Sequence, residues 1–120
     1  MKSARTLILT VILAGVSASA KEPNVIIGVG SALRCAAFVS MIKDHDNPML
    51  GDVAFAWVQG WFSARNVPGF TNSSVHRTVG GSISADTLTE FLVTECKEHP
   101  QEELVFAADA VYEQLALKGL

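Results

Sequence analysis

The chain has 120 residues, enough for one small domain. A formal charge of −3 leaves no basic footprint for nucleic acid or an anionic membrane surface. An apolar share of 49% with 18% charged residues points to a folded body, and two cysteines are too few for a four-thiolate zinc site.

The first segment reads as an export signal. Lys2 and Arg5 form a short positive start, Leu7 to Val16 is apolar apart from Thr10 and Gly15, and Ala18-Ser19-Ala20 is an A-x-A cleavage site. The apolar core is about ten residues, roughly half of the ~20 that a helical span requires, so no stable membrane anchor is expected. No Cys follows it and no Arg pair precedes it, which favours the general export route with cleavage after Ala20. Removing residues 1–20 takes away two bases and no acid, so the remaining 100 residues carry −5. Export places Cys35 and Cys96 in an oxidising compartment, where two thiols are expected to pair and have one intramolecular option.

Residues 21–30, with Pro23, Gly28 and Gly30, read as a flexible lead into a helical domain over 31–120. Cys35, Phe38, Val39 and Ile42 follow the spacing i, i+3, i+4, i+7 and predict a first helix capped by Ser31 and stopped before Pro48. Asn47 and Pro48 open a second helix over 51–66, with Phe55, Trp57, Val58, Trp61 and Phe62 on it. Trp57 and Trp61, four apart, stack on one side, and core packing is their first reading. Gly60 suggests close approach by another element, and the all-round apolarity suggests that this helix is central. Pro68-Gly69 ends it. Residues 67–83 form the one long irregular stretch, a candidate functional loop. Ser84 caps a third helix with Leu88, Phe91, Leu92 and Cys96 on its apolar face. Pro100 opens a fourth, with Glu102 and Glu103 in its first turn, Leu104, Ala107, Ala108, Val111 and Leu115 on its buried face, and Gly119 after its end. The prediction is all-α, four helices with one disulfide.

Catalytic patterns are weak. Asp44-His45-Asp46 reads as a solvated helix end, because His76 and His99 lie far along the chain, and no metal site is expected. There is no G-x-S-x-G elbow. Gly28-Val29-Gly30 lacks the third glycine of a dinucleotide loop, whose place Leu33 takes, so no cofactor and no enzyme activity is expected. Asn72-Ser73-Ser74 is a formal glycosylation sequon. Charge is segregated: residues 82–120 hold 8 acids against 2 bases, whereas 21–81 hold 4 against 5. Full protonation of the carboxylates and histidines would carry the processed chain from −5 to +10, enough to loosen a small domain by self-repulsion.

Cys35 followed by Phe38, the stretch Val53-Ala54-Phe55-Ala56-Trp57, and Cys96-Lys97-Glu98-His99-Pro100 leading into a helix together resemble the HdeA/HdeB family, over residues 31–116. The resemblance implies a small periplasmic helical domain with a Cys35–Cys96 bridge, dimeric at neutral pH. It implies an acid-stress chaperone that dissociates and partly unfolds in strong acid and binds acid-denatured proteins through exposed apolar faces. Phe55, Trp57, Val58, Trp61 and Phe62 then match the client or partner contact region. The helix Trp57-Val58-Gln59-Gly60-Trp61-Phe62-Ser63 is also similar to those of small periplasmic immunity proteins. That alternative implies one specific periplasmic partner, such as a cell-wall hydrolase, bound at neutral pH.

Overall fold

The computed structural model describes residues 28–72 and 78–120, with residues 68–72 as backbone only. The expected signal segment 1–20 and most of the lead 21–30 lie outside the described residues. Among those described, the chain is all-helical: α1 (Val29–Ala32), α2 (Cys35–Lys43), α3 (Met49–Asn72), α4 (Ala85–Glu98) and α5 (Leu104–Lys118). Four correspond to the predicted helices, and α1 is one added turn. A disulfide joins Cys35 to Cys96 and so ties α2 to α4, as the cysteine count predicts.

The start of α2 differs from expectation. Its N-cap is Arg34, without a side-chain cap, and Ser31 belongs to α1. The free donors of a helix start need acceptors, and here the neighbouring chain supplies them. Cys35 N–H donates to Glu102 O at 2.8 Å and Ala36 N–H to Pro100 O at 2.9 Å. Leu104 N–H donates back to Leu33 O at 2.9 Å, and Arg34 and Glu103 form an antiparallel bridge. The same strap explains why α5 begins at Leu104 rather than at Pro100: the carbonyls of 100–102 are turned toward α2. The other ends follow local rules. Ser84 Oγ accepts from Thr87 N–H at 3.1 Å at the start of α4, and Gly119 closes α5 at φ 72°.

α3 is longer than predicted and runs through Pro68-Gly69 to Asn72. Proline removes one donor from the ladder, but its fixed φ near −65° is itself helical, so the chain continues. The predicted irregular stretch 67–83 therefore shrinks at its start, and residues 73–77 of it lie outside the described residues.

The central helix is α5 rather than α3. α5 packs against all four others, and Leu104, Ala107, Ala108, Val111 and Leu115 are completely buried. Its alanines let α2, α3 and α4 come close around it, whereas α3 leaves Met49, Leu50 and Val53 exposed. Gly60 also corrects the expectation: a Cβ there would meet nothing within 4 Å. Another helix comes close instead at Gly30, whose Cβ would fall on the Trp57 indole, and at Gly51, whose Cβ would sit 2.8 Å from Met41 O. No described helix is long and apolar enough to cross a membrane.

Candidate functional site

The five predicted contact residues lie along the middle of α3, and the fold treats them differently. Val58 and Phe62 are core residues, 0% and 4% exposed. Phe55, Trp57 and Trp61 are partly buried and pack on the edge of that core. The indoles of Trp57 and Trp61 stack with centroids 5.6 Å apart and planes 19° apart, as their i, i+4 spacing predicts. α1 lies over Trp57 through Gly30. In the folded chain this surface is therefore mostly covered. Trp61 Nε1 is buried without a hydrogen-bond acceptor among the described residues.

Beyond Phe62, α3 is joined to α5 by a polar cluster that sequence reading missed. Phe62 meets the Tyr112 ring edge-on at 5.2 Å. The Arg65 guanidinium lies over the same ring, 4.0 Å from its centroid. Its Nη1 bonds Asp109 Oδ1, and its Nη2 bonds Glu113 Oε1 at 2.8 Å. Next to it, Asn66 holds the turn after α3: its Nδ2 donates to Val79 O at 3.0 Å, and its Oδ1 accepts from Val79 N–H at 3.1 Å. The same Oδ1 accepts from Tyr112 OH at 2.8 Å. Part of this was legible. Asp109 and Glu113 are i, i+4, and so share a helix face that asks for a cation. Nothing in the sequence pairs that face with Arg65.

The remaining sequence candidates are scattered. Asp44, His45 and Asp46 are exposed after α2, with Asp44 Oδ1 accepting from the N–H groups of Asp46 and Asn47 at 3.2 and 3.1 Å. His99 sits 3.7 Å from Glu95, at the end of α4, and His76 lies outside the described residues. No group of three or more His, Cys, Asp or Glu that could hold a metal ion occurs among the described residues. Gly28-Val29-Gly30 forms the turn of α1, where Gly28 O accepts from Ser31 and Ala32 N–H. Ser73 and Ser74 of the sequon lie outside the described residues. No family model, curated protein or solved structure matches the chain.

Proposed function

We propose that the chain is a small exported, non-enzymatic protein of the periplasm, an HdeA/HdeB-like acid-stress chaperone that binds unfolded proteins through apolar helix faces uncovered in acid. The observation that carries this reading is the covering of α3. Phe62, Trp61, Val58, Trp57 and Phe55 form an apolar strip that is buried at Val58 and Phe62 and half-buried at the other three in the folded chain. One end of the strip is closed by Arg65 between Asp109 and Glu113, a link that needs ionised carboxylates.

Each of these ion pairs is partly exposed, so each contributes only about 0–1 kcal/mol. Their loss acts together with the change in net charge. In strong acid the processed chain moves toward +10 and α5 loses its attraction for Arg65. α3 can then lift from α5 at the Phe62–Tyr112 contact while the Cys35–Cys96 bond keeps α2 on α4. The result is a loosened, still cross-linked body that presents aromatic surface to denatured clients. A homodimer that covers the half-buried part of this strip at neutral pH fits this reading.

The experiment is suppression of client aggregation at about pH 2–3 and at about pH 7. The proposal predicts protection in acid and none at neutral pH. Equal failure at both overturns it.

A further inference from the structure

α1 is joined to the rest of the fold by apolar contact. The N–H groups of Ser31 and Ala32 and the Ser31 hydroxyl donate to Gly28 O, and Leu33 N–H donates to Val29 O, all inside the segment. Among the described residues, no hydrogen bond or ion pair ties residues 28–32 to another helix. The first such bond is Leu104 N–H to Leu33 O at 2.9 Å, followed by the Arg34–Glu103 bridge. α1 is thus a single turn hung from a fixed point at Leu33-Arg34, where Leu33 is extended at φ −104° and ψ 124°.

α1 rests on Trp57. Gly30 is its buried residue, and an added Cβ there would overlap three carbons of the Trp57 indole. At Gly28 an added Cβ would lie 3.8 Å from Nε1 of the same ring. Val29 and Leu33 pack at the edge of the core, while Ser31 and Ala32 are exposed. One helical turn makes too few bonds to be stable in water by itself, so α1 is ordered by docking. On leaving, it recovers backbone freedom that offsets part of the lost contact, which places it at the low end of local stability.

We infer that α1 is an autoinhibitory cover. Closed, it shields the Trp57 end of the aromatic strip. An apolar segment of an unfolded protein binds there in the fraction of molecules whose α1 has swung away about Leu33-Arg34. The identity of that ligand rests on the chaperone reading, whereas the cover itself does not. Its opening is also separate from the release of α3, which runs through Arg65 and α5 beyond the other end of the strip. Because apparent affinity scales with the open fraction, a change that undocks α1 tightens binding without adding a contact. Gly30→Ala is such a change. Gly30 does not have a positive φ, and alanine favours a helix over glycine, so α1 keeps its turn and loses its seat on Trp57.

The test is amide hydrogen exchange and titration with the apolar dye anilinonaphthalene sulfonate, on the oxidised chain at about pH 7. In the parent, the Ala32 and Leu33 amides exchange at least about a hundredfold faster than that of Val111 in α5. Gly30→Ala binds the dye at least about tenfold more tightly than the parent and speeds exchange at Ala32 and Leu33 further. Leu92→Val trims the core on α4, lowers the melting temperature and binds the dye as the parent does. The inference is overturned if Gly30→Ala stays within about twofold of the parent, or gains no more dye affinity than Leu92→Val. Protection at Ala32 and Leu33 equal to that at Val111 also overturns it. The chaperone reading is judged separately, by whether the parent protects clients at about pH 2–3. Protection there beside an unresponsive Gly30→Ala removes the cover and leaves that reading. No protection beside a responsive Gly30→Ala removes the reading and leaves the cover.

Discussion

Breaking the Cys35–Cys96 bond is the largest single perturbation the fold offers. The bond spans 61 positions and joins two fully buried residues on α2 and α4. Without it the unfolded chain regains the freedom of a loop of that length, worth about 4 kcal/mol on the chain-entropy model. A domain of this size has about 5–15 kcal/mol in total. At about 4–8 °C per kcal/mol, the melting temperature should fall by about 20 °C. The assay is thermal unfolding by circular dichroism of the oxidised protein, the reduced protein and Cys35→Ala/Cys96→Ala. The reduced protein keeps both sulfurs in place and isolates the cross-link, while the double variant adds two small cavities costing about 1 kcal/mol. A reduced protein that melts within a few degrees of the oxidised one would refute the reasoning.

Gly30→Ala places a methyl group on the Trp57 ring, so it should destabilise by about 1–3 kcal/mol and shift the tryptophan emission. Gly60→Ala meets open space inside a helix and should instead stabilise by about 0.5–1 kcal/mol in chemical denaturation. Asn66→Ala leaves Val79 and Tyr112 without their partner, so it should cost about 1–3 kcal/mol and speed hydrogen exchange at Val79. Unchanged exchange at Val79 would remove Asn66 from its role in holding that turn.

The helices with complete local signals were legible in the sequence. The α2 face of Cys35, Phe38, Val39 and Ile42, the Ser84 cap and the Gly119 stop each rest on neighbours within one turn. The starts of α2 and α5 were not, because their backbone groups are satisfied across the fold by each other's leading segments. Glycine spacing was misleading for a related reason. Gly60 sits amid aromatic residues in sequence yet faces open space, while Gly30 and Gly51 meet neighbours that only tertiary packing supplies. Apolarity overstated α3, since the small Ala107 and Ala108 decide which helix the others surround. The disulfide followed from counting. The Arg65 cluster did not, as it needs residues from separate helices to meet.

In the proposed function, acid uncovers the α3 strip that α1 and α5 cover in part in the folded chain. Trp57 and Trp61 report on it directly, since both lie on that surface and the chain has no other tryptophan. Tryptophan emission and the binding of an apolar dye should be followed as the oxidised protein is titrated from about pH 7 to about pH 2. A reversible red shift with a rise in dye binding is expected once the carboxylates take up protons. An emission spectrum and dye signal at about pH 2 identical to those at about pH 7 would contradict it.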